Sequence, residues 1–292
     1  MNRIRIVEVG PRDGLQNEKA SVPLKAKQEF IAALAASGLK DIEIGAFVRP
    51  DKVPQMAGSD ELARSLPPAP GVTYWALVPN LKGAERAAAA GMKALAVFSA
   101  ASETFSLKNA NVSIADSLAG LKDVAAFSRK EGLKLRAYVS TCFVCPYEGP
   151  VAPAKVTEVA KALLDLGGPE MEISIGDTLG AATPDQMAGV FGPLLKLAPA
   201  STWAGHFHDT RRTALANVLA AMDLGISVFD ASAGGLGGCP FAPGAAGNLA
   251  TEALVARLDA LGVDTDVDLN TLALAAPPLE PLLGHPLPGR HA

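Results

Sequence analysis

The chain has 292 residues, of which 49% are apolar and 19% are charged, and its formal net charge is -4. This composition excludes a disordered protein, a collagen and a coiled coil, and a chain of this length can bury a large core without disulfides or a structural metal. The slightly acidic balance and the lack of any basic run argue against nucleic acid or an anionic membrane surface as the main partner.

Short runs rich in β-branched residues alternate along the chain with longer stretches rich in Ala and Leu. The predicted strands are residues 4–9, 41–45, 72–78, 94–98, 135–139, 171–175, 203–207 and 226–230. The predicted helices are residues 24–36, 82–90, 113–130, 155–166, 184–197 and 213–224.

This alternation predicts an α/β protein with a parallel sheet. Eight such units fit a single (β/α)8 TIM barrel over residues 1–270, followed by a short Pro-rich C-terminal appendage over residues 271–292. An open, doubly wound sheet is the alternative, but eight regular units without a break in composition favour a closed barrel.

The cysteines and the N-terminal segment indicate the compartment. Three cysteines in a long chain are not a disulfide framework. Cys142 and Cys145 are expected to be structural, because a zinc site needs a second pair and Pro146 disfavours a redox helix. No apolar stretch has the length of a signal peptide or a membrane span, so we expect a cytoplasmic protein with neither membrane nor nucleic acid as partner.

Polar side chains stand at the carboxyl ends of several predicted strands, which is the end where barrel active sites lie. Residues that are far apart in the sequence should therefore converge at one rim. The candidates are, in chain order, Arg12, Asp13, Glu43, Asp177, His206, His208 and Asn248.

Two of these candidates predict a metal site. His206 and His208 are two apart on a strand, so both imidazoles project from the same face. With a carboxylate from Asp13 and an amide oxygen from Asn248 they suit a divalent cation such as Mg2+ or Mn2+, and zinc is less favoured without a thiolate. The alternative is a pair of hydrogen-bonded core histidines.

Other residues at the rim indicate catalysis or binding of an anion. Arg12 lies in a Gly-Pro-Arg-Asp-Gly turn, where a guanidinium could stabilise negative charge on a carbonyl oxygen. Asp177 is a further catalytic candidate because it ends a strand at this rim. Cys239, in a glycine-rich loop, is either an acid or base on a closing lid or a plain loop cysteine. Arg211 and Arg212 precede a helix and are either an anion site or a solvated pair.

Several motifs together resemble one enzyme family. Residues 7–18, VEVGPRDGLQNE, resemble the opening motif of 3-hydroxy-3-methylglutaryl-CoA lyases, which belong to a superfamily of metal-dependent TIM-barrel lyases. The resemblance spans roughly residues 4–265 in order. Further matching segments are residues 47–48, 53–56, 79–83, 145–149, 176–178, 206–210 and 235–242.

The resemblance implies an activity and assigns roles to the candidates. The reaction would be the cleavage of 3-hydroxy-3-methylglutaryl-CoA, an acyl-CoA thioester, to acetyl-CoA and acetoacetate. Arg12 would polarise the thioester carbonyl, Glu43 would lie beside the metal, and Cys239 would be the loop cysteine required for turnover. Either His206 or Cys239 would be the final proton donor. The metal ligands would be Asp13, His206, His208 and Asn248. A homodimer and a role in leucine breakdown are also implied.

Departures from the family pattern concern the substrate more than the reaction class. Ala46 stands where many members carry a serine, and Arg211 and Arg212 replace a residue-plus-glycine pair. The competing hypotheses are a lyase for another 3-hydroxyacyl-CoA, such as a citramalyl-CoA-like or longer branched substrate, a Claisen-type synthase, and a catalytically silent binding barrel.

Overall fold

Eight parallel strands form the centre of the molecule. The computed structural model describes residues 3–168, 170–237 and 247–291. The strands are β1 (Arg5–Glu8), β2 (Asp41–Ala46), β3 (Thr73–Leu77), β4 (Ala94–Ala100), β5 (Lys134–Ser140), β6 (Glu172–Asp177), β7 (Trp203–Phe207) and β8 (Val228–Ala231). They close into a barrel in the order β1-β8-β7-β6-β5-β4-β3-β2, which confirms the predicted (β/α)8 fold.

Helices follow the strands and cover the outside of the barrel. They are α1 (Leu24–Ala36), α2 (Ser59–Ser65), α3 (Leu81–Ala89), α4 (Glu103–Ala110), α5 (Ile114–Lys130), α6 (Pro153–Gly167), α7 (Met187–Leu195), α8 (Ala214–Asp223), α9 (Thr251–Ala260), α10 (Leu269–Leu272) and α11 (Glu280–Leu283). Asn80, Ser102 and Ser113 cap α3, α4 and α5 by accepting a backbone N–H. A two-stranded hairpin, Val144–Cys145 with Gly149–Pro150, follows β5.

The boundaries differ from the sequence-based prediction mainly where a helix is short. The segment predicted as one helix over residues 184–197 begins as a 3-10 turn, Pro184–Gln186, and continues as α7. The helices α2, α4 and α9 were not among those predicted. No helix in the described part of the chain is both long enough and apolar enough to cross a bilayer.

The segment after residue 270 packs against the barrel through its leucines. Leu279, Leu283 and Leu287 are buried, and Nε2 of His285 lies 2.7 Å from Oε2 of Glu18. The division at residue 270 stays a prediction, and α10 spans that boundary.

The main hydrophobic core lies between the barrel and its helices, whereas much of the barrel interior is polar. Arg136 on β5 is fully buried and donates hydrogen bonds to Glu172 on β6 and Asp230 on β8. Because two strands separate β5 from β8, this contact crosses the interior. The guanidinium also donates to Oη of Tyr138 at 2.7 Å and lies over that ring. This network occupies the face of the strands that lines the barrel interior.

Replacing Arg136 by Met is expected to lower the free energy of unfolding by about 3–5 kcal/mol, because it leaves the buried carboxylate of Asp230 without its cation. Urea unfolding followed by circular dichroism measures the change. Arg129→Met is the matched control, since Arg129 is exposed and its guanidinium donates to the Leu166 carbonyl, and it should cost about 0.5 kcal/mol. Equal losses in the two variants would contradict the interior network.

Candidate active site

A cluster of one carboxylate and two imidazoles lies at the carboxyl ends of the strands. One ligand atom each from Asp13, His206 and His208 lies within 4.8 Å of the others. His206 is on β7 and His208 follows it, while Asp13 lies in the π-helical turn Gly10–Gly14 after β1. The structure therefore brings these three predicted ligands together, although a long stretch of sequence separates Asp13 from the histidines.

Hydrogen bonding leaves one nitrogen of His206 available. Its Nδ1 is 3.1 Å from Oδ2 of Asp230, and the same oxygen accepts the hydroxyl of Ser174 at 2.7 Å. Since an ionised carboxylate only accepts, Nδ1 carries the proton and Nε2 presents its lone pair. Burial lowers the pKa of His206, but the contact with Asp230 outweighs it, and the net shift of this pKa is upward. Asp230 thus fixes both the tautomer and the orientation of the ring.

His208 is held in its neutral form. Burial and the neighbouring His206 lower its pKa to about 4, and its Nε2 lies 3.9 Å from Oδ2 of Asp13. Its Nδ1 is buried and has no hydrogen-bond partner among the described residues. A neutral imidazole with an unsatisfied buried nitrogen fits a metal ligand.

Asn248 contacts the cluster through its side-chain amide. Its Nδ2 donates to Oδ2 of Asp13 at 2.8 Å and to the Leu236 carbonyl at 3.2 Å. Its backbone bridges that of His208, which fixes the side chain beside the triad. Two imidazoles, a carboxylate and a nearby amide match the donor set that hard or borderline divalent cations accept.

Arg12 joins the cluster of Asp13, His206 and His208 to Glu43. Its Nη1 donates to Oδ1 of Asp13 at 2.5 Å and its Nε donates to Oε2 of Glu43 at 2.7 Å. Only 6% of Arg12 is exposed, and its guanidinium carbon lies 5.5 Å from the centre of the Tyr138 ring. Burial lowers the pKa of Arg12, but the charges of Glu43 and Asp13 raise it by more, so the side chain is a fixed cation.

Glu43 is buried beneath Arg12. Its Oε2 also accepts the hydroxyl of Tyr138 at 3.2 Å, whereas its Oε1 has no partner among the described residues. Burial raises the pKa of this carboxyl, and Arg12 offsets part of the shift. The side chain enters the site at an irregularity of β2, where the pairing with β3 shifts between Glu43 and Gly45.

Asp177 is at the predicted rim, but its carboxylate is bonded to the backbone of the turn that follows it. Its carboxylate oxygens accept the backbone N–H groups of Ala181 at 3.1 Å and Ala182 at 2.9 Å. It is fully buried, burial raises its pKa, and it does not line the cavity beside the histidines. The geometry assigns it to the turn after β6, and its catalytic role stays a prediction.

Three other predictions concern residues outside this cluster. Cys239 lies outside the described residues. Cys142 and Cys145 are buried free thiols whose sulfurs lie 3.0 Å from the Val139 carbonyl and from the Ser102 hydroxyl, as expected for structural cysteines. Arg211 and Arg212 are exposed and do not line the cavity, so their role stays open.

A cavity of about 170 Å³ adjoins the cluster. Its lining includes Arg12, Asp13 and the two histidines, together with apolar and amide side chains. The remaining lining residues include Gln16, Asn17, Leu77, Phe98, Phe105, Asn109 and Tyr138. A larger cavity of about 870 Å³ lies at the amino ends of the strands, far from this chemistry, so size alone does not locate the site.

The fold and the cluster together define a TIM-barrel protein with a site suited to a divalent metal. The model of the family described as HMGL-like matches residues 3–277, and the chain belongs to this family. The hydroxymethylglutaryl-CoA lyase of Pseudomonas mevalonii is 49% identical, with 94% of this chain and 90% of the relative covered.

Two of the solved structures to which the chain is similar are those of hydroxymethylglutaryl-CoA lyases. That of hydroxymethylglutaryl-CoA lyase from Pseudomonas aeruginosa has a TM-score of 0.95 and 45% identity, covering 99% of this chain and 96% of that one. That of an HMG-CoA lyase from Acinetobacter baumannii in complex with coenzyme A and 3-methylmalate has a TM-score of 0.93 and 38% identity, covering 99% and 93%.

The residues that support the cluster from below were not predicted from the sequence. Tyr138, Arg136, Ser174 and Asp230 contact Arg12, Glu43 or His206, or one another. The sequence held a weak signal for them, because Arg136 and Tyr138 are two residues apart and so project from the same face of an otherwise apolar strand. Their partners, however, lie on other strands and only closure of the barrel reveals them.

Proposed function

We propose that this protein is a carbon–carbon lyase that cleaves 3-hydroxy-3-methylglutaryl-CoA to acetyl-CoA and acetoacetate. The observation that carries the proposal is the buried cation of Arg12 in direct contact with Asp13, at the wall of a cavity that also exposes two imidazoles. The similarity to named hydroxymethylglutaryl-CoA lyases over nearly the whole chain supports the same reaction.

We further propose that Asp13, His206, His208 and the amide oxygen of Asn248 hold Mg2+ or Mn2+. The unsatisfied Nδ1 of His208 and the neutral state of its ring support this ligand set. A bound divalent ion would lower the pKa of the substrate's tertiary hydroxyl and orient it. The amide nitrogen of Asn248 donates to Asp13 and to the Leu236 carbonyl, so ligation by the amide oxygen would require a half-turn of the amide that gives up both hydrogen bonds.

The residues of this chain would carry out the other steps of the reaction. In the cleavage, the tertiary hydroxyl loses its proton to a base, its C–O bond becomes the ketone C=O of acetoacetate, and the electron pair of the broken C2–C3 bond forms the enolate of acetyl-CoA. Arg12 would stabilise the enolate oxygen, which becomes negative only along the reaction path. Glu43 and Tyr138 hold the guanidinium in place. Cys239 would return a proton to the departing carbon; His206 could do so only if its Nε2 were not bound to the metal, because its Nδ1 is bound to Asp230.

The size of the cavity supports an acyl-CoA substrate of which only the acyl end enters. A volume of about 170 Å³ is small compared with roughly 300–1,000 Å³ for sites that enclose a whole drug-sized ligand. The nucleotide part would extend past the exposed rim residues Asn17 and Asn109. The expected homodimer and the cytoplasmic location are further parts of the proposal.

Acetoacetate release from 3-hydroxy-3-methylglutaryl-CoA, with and without added Mn2+, tests the function. We expect release that depends on the metal and is abolished by EDTA. If metal binds but only a citramalyl-CoA-like or longer branched thioester is cleaved, the reaction class stands and the substrate is wrong. If metal binds and no thioester is cleaved or condensed, the silent binding barrel replaces the lyase.

A further inference from the structure

Glu8 is a buried carboxylate without a cation. It ends β1, has no exposed surface, and forms no ion pair within the described part of the chain. Its Oε1 accepts the backbone N–H groups of Gly10 at 2.7 Å and Ala233 at 2.9 Å, and its Oε2 accepts the Thr251 hydroxyl at 2.6 Å. Burial raises its pKa to about 7, which shows that the ionised carboxylate is destabilised here. Burying such a group costs free energy of folding, so we expect it to have a role other than packing.

The three donors belong to three segments that border the candidate site. Gly10 opens the turn that carries Arg12 and Asp13. Ala233 opens the turn Ala233–Gly235 after β8. Thr251 begins α9, just after Asn248. The carboxylate of Glu8 therefore connects all three segments. Glu252 adds a second contact to the turn Ala233–Gly235, because both its carboxylate oxygens lie 2.9 Å from the backbone nitrogen of Gly234.

The connected segments are packed so closely that neither turn can move toward the other. A Cβ added to Gly14 would lie 2.8 Å from Cβ of Leu236, and one added to Gly237 would lie 2.5 Å from Nδ2 of Asn248. The same Nδ2 bonds both Asp13 and the Leu236 carbonyl. A shift of the turn after β1 relative to the turn after β8 would therefore change the distance between Asp13 and Asn248.

We infer that Glu8 is a positioning residue that sets the relative placement of Asp13 and Asn248, and so the affinity of the site for its metal. The inference rests on the metal site of the proposed function. It does not require the proposed substrate. Removing an outer group that orients metal ligands typically weakens metal binding about 10- to 100-fold.

Glu8→Ala and Glu8→Gln separate this role from the charge. Ala removes all three contacts. Gln keeps an oxygen for both N–H groups, and its amide can donate to the Thr251 hydroxyl, which reverses to accept. Measured by electron paramagnetic resonance of Mn2+, the dissociation constant should rise about 10- to 100-fold in Glu8→Ala and stay within about threefold of wild type in Glu8→Gln.

Asp41→Ala controls for general destabilisation. Asp41 is buried at the opposite end of the barrel and accepts hydrogen bonds from Arg5 and Trp75. Its loss should lower Tm while the Mn2+ dissociation constant stays within about threefold of wild type. If Glu8→Ala does not fold, Thr251→Val removes one contact and should raise the dissociation constant about fivefold.

Three outcomes would overturn the inference: unchanged Mn2+ affinity in the Glu8→Ala or Thr251→Val variant, equal weakening in Glu8→Gln and Glu8→Ala, or equal weakening in Asp41→Ala. All are read without substrate. A wild-type protein that binds Mn2+ but cleaves no 3-hydroxy-3-methylglutaryl-CoA would refute the proposed substrate and leave this inference to be decided by the dissociation constants.

Discussion

Replacing Arg12 by Met should lower kcat for acetoacetate release about 1,000-fold, which is the upper range for removing a group that stabilises developing charge. Methionine fills much of the same volume but carries no charge for an enolate oxygen. Because Arg12 stabilises charge that forms only during the reaction, the loss should be in kcat more than in KM. Steady-state kinetics at saturating Mn2+ measures both constants.

Two further variants decide whether that loss has the proposed cause. Arg12→Lys keeps a positive charge but cannot reach Glu43 and Asp13 with the same planar geometry, so its kcat should lie between those of wild type and Arg12→Met. Arg212→Met changes an exposed arginine outside the cavity and should leave kcat within about twofold. A kcat for Arg12→Met within tenfold of wild type would mean that the main charge stabilisation comes from elsewhere.

Removal of Arg12 also changes its neighbours. Glu43 is fully buried, and the cation is what offsets the effect of burial on its pKa. Without Arg12 the pKa of Glu43 should rise further and the carboxyl should take up a proton. The Tm of Arg12→Met must therefore be measured beside its kcat, and activity compared at a temperature where both proteins are folded.

The sequence was sufficient for residues whose position follows from the barrel itself. Asp13, His206 and His208 follow or end strands, and all carboxyl ends of a parallel barrel share one rim. Their convergence therefore required only the recognition of eight strands. What a side chain at the end of a strand contacts depends in addition on the path of the turn that follows. Asp177 is at the same rim, yet the left-handed conformation of Gly180, at φ 64°, brings the following amides back to its carboxylate.

The buried network could not be predicted in the same way. Arg136 and Asp230 lie 94 residues apart, and nothing in either local sequence indicates the other. Glu8 is similar, because its partners are two backbone amides and a hydroxyl rather than a residue of opposite charge. Contacts between a side chain and backbone groups far away in the sequence leave no signature in the sequence. They depend on the exact path of turns that the hydrophobic pattern does not specify.

Replacing Asp13 by Asn should weaken Mn2+ binding about 100-fold, because it removes the only carboxylate of the proposed ligand set and its attraction for the ion. The neutral amide has nearly the same shape, so the fold should be retained. Asp177→Asn is the matched control. It removes a buried carboxylate at the same rim, one whose oxygens face Ala181 and Ala182, and it should lower Tm while leaving Mn2+ affinity within about threefold.

The gain in the free energy of unfolding on Mn2+ binding is a second, independent measurement on Asp13→Asn and Asp177→Asn. At Mn2+ concentrations near 100 times the wild-type Kd, binding should add about 2.7 kcal/mol to the free energy of unfolding. Wild type and Asp177→Asn should show this gain, and Asp13→Asn, with a Kd about 100-fold higher, should gain only about 0.4 kcal/mol. The reverse pattern, with the gain lost in Asp177→Asn and kept in Asp13→Asn, would move the ion to the turn after β6. It would leave Asp13 only its contacts with Arg12 and Asn248, as a group that holds the guanidinium in place.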